Sequence, residues 1–134
     1  MPPVAETENP FESILNGGQI ELIAECMNEV KMFNAPVTSD DLKAILSCKP
    51  KVIFRSNNNR YLAFLFSELS YRDLITPNWQ SVIANHKLFL SKDKNRDKYL
   101  NQGDLATATN YVKDIDHVKG YAIIVKYIKQ LKKL

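Results

Sequence analysis

Four cations alternate through one polar stretch, Lys92, Lys94, Arg96 and Lys98, with Asp93, Asn95 and Asp97 between them. Lys and Arg at that spacing suit a loop that grazes a polyanion, because they meet phosphate oxygens without having to read sequence. A second basic group, Lys49, Lys51, Arg55 and Arg60, precedes it. Asn101, Gln102, Thr107, Thr109 and Asn110 follow it, and Asn and Gln are the side chains whose amides match adenine edges. The plainer reading is a solvated loop beside an ordinary polar helix face. Asp93 and Asp97 dilute the linker to a net +2.

Residue types that would do covalent chemistry do not gather. The four glycines, Gly17, Gly18, Gly103 and Gly120, make no phosphate-cradling loop, and there is no HExxH. A nucleophile elbow is missing as well. Asp114 and Asp116 flank Ile115 and point to different sides of a helix. Cys26 and Cys48 form no CxxC, and His86 and His117 are distant from both, whereas a zinc site needs about four clustered ligands. The expectation is a non-enzymatic protein, with no metal, no cofactor and no small-molecule substrate implied. Free thiols also agree with a reducing, cytoplasmic setting.

The 134 residues carry a formal charge of +3, but unevenly. Residues 1–30 hold six glutamates and no base, while residues 31–134 hold eighteen bases against nine acids. Such asymmetry suits a polyanion or an acidic partner. It equally suits an acidic first helix lying against a basic remainder. At 45% apolar and 25% charged residues, the composition is that of an ordinary globular domain. No apolar run nears the roughly 20 residues that cross a bilayer, so no membrane partner is expected.

Local pattern supplies the elements that must position these residues. Residues 1–10 read as a disordered tail and 11–134 as a single helical domain. A short turn over Phe11–Leu15 is stopped by Asn16-Gly17-Gly18, and Gln19 to about Lys31 then carries Ile20, Ile23, Ala24 and Met27 at helical spacing. Glu21, Glu25 and Glu29 line its other face. Thr38 or Ser39 caps a helix with Asp40 and Asp41 in its first turn, and Leu42, Ile45 and Leu46 as its apolar face. Pro50 ends it. Lys51–Arg55 reads as a short strand, centred on Val52–Phe54.

One of Ser56, Asn57, Asn58 and Asn59 should cap the next helix, whose Leu62, Leu65, Phe66 and Leu69 stripe is widened by Ala63 and Phe64. An arc that broad predicts two packing neighbours. Thr76-Pro77 predicts another helix start, with Trp79, Val82, Ile83 and His86 on one face and His86 as a core-edge residue. Leu88-Phe89-Leu90 continues that helix or turns into a second strand. Asn101 with Asp104 caps a helix through Leu105, Tyr111, Val112 and Ile115. Gly120 separates it from a last helix with Tyr121, Ile124, Val125, Ile128 and Leu131 inward and Lys126, Lys129 and Lys133 outward.

These residues carry one family likeness. Phe54-Arg55, then Asn59-Arg60-Tyr61-Leu62-Ala63-Phe64-Leu65-Phe66-Ser67-Glu68-Leu69, Leu74-Ile75, Trp79, Ile83, the His86–Phe89 segment, the Lys-Asp-Lys-Asn linker and Leu105 follow in order. Arg55–Tyr111 thereby resembles the C-terminal region of RteC-type regulators of bacterial conjugative elements. The resemblance implies a helical, winged-helix-like regulator associated with DNA. It departs from a helix-turn-helix in the roughly fifteen residues between the Trp79 and Leu105 helices, where a turn of three or four is usual.

The expectation is therefore a mainly α fold, a compact bundle of five or six helices with a short two-stranded β element and a winged-helix-like layout as one form. Its function would be that of a regulatory or accessory DNA-binding module of a mobile element. Duplex DNA would be met by Arg55, Arg60, Lys92, Lys94, Arg96, Lys98, Asn101, Gln102, Thr107 and Asn110. The alternative is a protein–protein interaction module, or self-association, through the acidic N-terminal helix or the basic C-terminal one.

Overall fold

Side-chain caps decide where the helices begin. The computed structural model describes residues 9–91, 98–110 and 119–131. In it Asn16 accepts the Gln19 N–H at 2.8 Å, while the Gln19 side chain accepts the Asn16 N–H at 2.9 Å. This capping box opens α1 (Gly17–Glu29), so the Asn-Gly-Gly expected only to stop a turn in fact starts the first helix. Thr38 and Asp41 form a second box, each accepting the other's N–H at 3.0 Å, and open α2 (Ser39–Leu46).

A two-residue strand, β1 (Phe54–Arg55), leads into α3 (Asn59–Tyr71), whose cap is Asn58. The helix α4 (Trp79–Asn85) begins two residues later than Thr76-Pro77 predicts. Thr76 Oγ1 accepts the Asn78 N–H at 3.2 Å, which holds Pro77 and Asn78 in a turn before the helix. Next come β2 (Phe89–Leu90), α5 (Gln102–Asn110) and α6 (Lys119–Leu131).

Four of these helices also end alike. Lys31, Cys48, Asp73 and Lys87 follow the last residues of α1, α2, α3 and α4 with φ of 52°, 58°, 60° and 52°. The next N–H reaches back to a carbonyl in the preceding turn in each case: Met32 to Met27, Lys49 to Ala44, Leu74 to Leu69 and Leu88 to Ile83. This is the Schellman closure, built here without glycine. His86 caps α4 at its C-terminus and is exposed, not at the core edge, because the helix stops before its stripe reaches that position.

The core forms around α3. Leu62, Ala63, Phe64, Leu65, Phe66 and Leu69 are all buried, and the broad arc packs on two neighbours, α5 and α6. Phe66 stacks on Trp79 at 5.6 Å and approaches Phe11 at 5.9 Å and Phe89 at 6.5 Å, while Phe89 stacks on Phe33 at 4.9 Å. Burying one such ring contributes on the order of 1.5–3 kcal/mol. The acidic α1 packs on α6 and α2, with Tyr127 donating to Glu29 Oε1 at 2.9 Å.

The β element is a parallel pair, Phe54 opposite Phe89 and Arg55 opposite Leu90. Single antiparallel bridges extend it on both sides, Phe33 with Ser56 and Leu90 with Tyr99. The fold is mainly α, with six helices among the described residues and this short two-stranded element. The tail at 1–8, Lys92, Lys94 and Arg96, the continuation of α5 through Tyr111, Val112 and Ile115, and Lys133 lie outside the described residues.

Candidate nucleic-acid interface

The linker is pinched shut at its base. Ser91 N–H donates to the Lys98 carbonyl at 2.7 Å, and Leu100 N–H donates to the Phe89 carbonyl at 2.9 Å, which sets Tyr99 antiparallel to Leu90. Arg55 Nη1 donates to the Ser91 carbonyl at 2.9 Å from the neighbouring strand. Hydrogen bonds to Lys98 and from Arg55 therefore hold Ser91, the residue from which the cationic segment departs. Lys87 joins the same stem, its Nζ lying 5.9 Å from the centre of the Tyr99 ring. Sequence reasoning missed Lys87, because its partner lies across a turn that no local pattern reveals.

Arg60 and Thr107 both line a separate cleft. A cleft of about 480 Å³ between the start of α3 and the side of α5 is lined by Asn57, Asn58, Asn59, Arg60, Asp104, Thr107 and Ala108. Several of its polar groups already serve the fold. Asn58 Oδ1 accepts the Arg60 and Tyr61 N–H groups at 3.0 and 3.1 Å, and Ser56 Oγ donates to Asn59 Oδ1 at 2.6 Å. Among the described residues its lining carries one guanidinium, Arg60, and one carboxylate, Asp104.

Other expected contacts are divided between structure and surface. Asn101 Oδ1 accepts the Asp104 N–H at 2.7 Å, and Asp104 Oδ2 accepts the Asn101 N–H at 3.3 Å, so Asn101 is engaged in starting α5. Gln102 stands exposed in the first turn and Lys98 is exposed beside Tyr99. Thr109 Oγ1 donates to the Leu105 carbonyl at 2.8 Å and accepts from Gln80 Nε2 at 3.2 Å, which occupies it with helix packing. Asn110 is the last described residue of α5. Arg55, Lys98 and the ends of the linker are thus brought together, while Arg60 and Thr107 line the cleft between α3 and α5.

The two thiols are poor nucleophiles. Burial first, and the nearby Glu29 charge second, push Cys26 up to about 12, and burial pushes Cys48 up to about 11. Both stay protonated near neutrality. Among the described residues no three His, Cys, Asp or Glu side chains gather as a metal site would require. Nor is any described helix long and apolar enough to cross a membrane. No protein-family model, curated protein or solved structure matches the chain.

Proposed function

We propose that this protein is a non-enzymatic DNA-binding module, regulatory or accessory to a mobile element, as its resemblance to RteC-type regulators implies. The carrying observation is the stem at Ser91, held by Lys98 on one side and by Arg55 on the other. That arrangement draws cations from separate parts of the chain, Arg55, Lys87 and Lys98, to the base of a loop whose sequence adds Lys92, Lys94 and Arg96. A segment whose two ends are tied together, as Ser91 and Lys98 are, has less ordering entropy to lose on meeting a phosphate backbone than an untied chain has. Exposed Gln102 at the start of α5 and Arg60 at the start of α3 would extend the footprint.

Duplex DNA titrated into the protein at low salt tests the reading. Saturable binding that weakens when Lys92, Lys94, Arg96 and Lys98 are replaced together by Ala is the expected result. No binding at low salt would contradict it.

A second reading has its own observation. Glu21 and Glu25 remain exposed although α1 packs on the lysine-bearing last helix, and among the described residues no ion pair joins these glutamates to it. An acidic helix face of this kind suits a basic protein partner. A co-purifying partner released by Glu21→Lys with Glu25→Lys would favour this second reading over DNA binding.

A further inference from the structure

We infer that Tyr99 is a stacking platform for an unpaired nucleobase, so that the Ser91 stem takes single-stranded DNA in preference to duplex. The inference rests on the DNA-binding reading and names the form of DNA that the stem favours. Among the described residues the exposed large apolar side chains are Ile14, Val52, Tyr71 and Tyr99, and Tyr99 is the aromatic one that stands at the stem. It is 39% exposed, and no second ring among the described residues packs on it.

The backbone on either side of this ring is tied down. The Lys98 carbonyl accepts the Ser91 N–H at 2.7 Å, Leu100 N–H donates to the Phe89 carbonyl at 2.9 Å, and the Leu100 side chain is buried. The ring is therefore carried on a fixed segment, with little backbone freedom to lose when a ligand settles on it. Cations flank it. Lys98 is its exposed neighbour, Lys87 Nζ lies 5.9 Å from the ring centre, and the chain beyond Ser91 adds Lys92, Lys94 and Arg96.

A nucleotide joins a flat base to an anionic phosphate, and a ring beside ammonium groups meets both parts. In a duplex the bases are already stacked on one another, so the phosphates are what remains for this surface. Charge alone would favour the duplex, which carries the denser line of phosphates. A single strand adds base–ring stacking, which raises affinity about tenfold or more per base. The stem thus holds a duplex through phosphates and a single strand through phosphates and a stacked base.

Fluorescence anisotropy at low salt tests this, with a labelled mixed-sequence single strand and the duplex of the same sequence. Wild type should bind the single strand about tenfold more tightly than the duplex. Tyr99→Ala should weaken single-strand binding about tenfold while leaving duplex binding within about twofold. Tyr99→Phe should keep the preference, because the ring stacks without its hydroxyl. Tyr71→Ala, which removes an exposed tyrosine at the far end of α3 from β1, should change neither affinity. Tyr99 is exposed, so folding should survive its replacement, and circular dichroism checks that it has. A wild type that binds duplex as tightly as single strand would overturn the inference and leave the DNA-binding reading in place, as would a preference that Tyr99→Ala leaves unchanged. A chain that binds neither form would contradict both.

Discussion

The guanidinium of Arg55 reaches across from β1 to the Ser91 carbonyl at 2.9 Å, joining the first strand to the residue where the cationic linker leaves the second. Arg55 is half-buried, and its charge-assisted bond is made to a neutral carbonyl. Arg55→Ala should lower unfolding free energy by about 1–2 kcal/mol in urea denaturation. Arg55→Lys should recover only part of the loss, because an ammonium lacks the planar reach of a guanidinium. A Lys variant as stable as wild type would show that charge alone matters there.

Gly120 and Tyr61 set a second constraint. A Cβ on Gly120 would overlap the Tyr61 ring, which packs edge-on against Tyr121 at 5.1 Å. The glycine therefore does not merely separate two helices. It lies inside α6 and lets that helix approach α3. Gly120→Ala should destabilise by about 1–3 kcal/mol through overpacking. The same change made together with Tyr61→Ala should cost little beyond Tyr61→Ala alone, a coupling that a double-mutant cycle measures.

The glycine-free helix ends should be improvable. A left-handed residue other than glycine costs about 1–2 kcal/mol, which exceeds the entropy that a glycine adds to the unfolded chain. Lys31→Gly and Asp73→Gly, at φ of 52° and 60°, should each stabilise by about 0.5–1 kcal/mol. Lys31→Val should act in the opposite direction. Thermal denaturation of the three variants gives the order directly.

These same ends explain what the sequence could not reveal. Helix starts were legible at Thr38 and at Asn101 with Asp104, where a short polar side chain sits three residues from the N–H or carboxylate it uses. Helix stops were legible only roughly, near Lys31 for α1 and before Pro50 for α2, because the residues that close them, Lys31, Cys48 and Lys87, ordinarily continue a helix or say nothing. Thr76-Pro77 gave a start that proved two residues early, since the hydroxyl serves the turn and not the first helical N–H groups. The apolar stripes of α3 and α6 were readable from spacing alone. The parallel pairing of Phe54 with Phe89 was not, because two-residue strands leave no period and their pairing spans two helices. The linker cations were visible as residues, but the Arg55–Ser91 bond and the placement of Lys87 that give them a stem arise only in three dimensions.

Tyr127 links the acidic first helix to the last one in a pH-dependent way. Burial, then its hydrogen bond to Glu29 and the Glu25 and Glu29 charges, push the phenol up to about 12, above its ordinary value near 10. A raised value means that the fold favours the protonated phenol. Its contribution is complete below pH of about 10 and is lost as pH rises through about 12. Wild type should therefore lose its advantage over Tyr127→Phe between those values, as chemical denaturation at about pH 9 and about pH 12 would show. A stability gap between the two proteins that does not change with pH would contradict the linkage.

The salt dependence of duplex DNA affinity tests the central claim most directly. Each phosphate neutralised on a duplex contributes about −0.9 to the slope of log affinity against log salt. The wild-type chain should bind with a steep negative slope. Replacing Lys92, Lys94, Arg96 and Lys98 by Ala should make that slope shallower by up to about 3.6, in proportion to the linker cations that meet phosphate. Binding whose slope is the same with and without the four cations would contradict the account of the Ser91 stem as the DNA-facing surface.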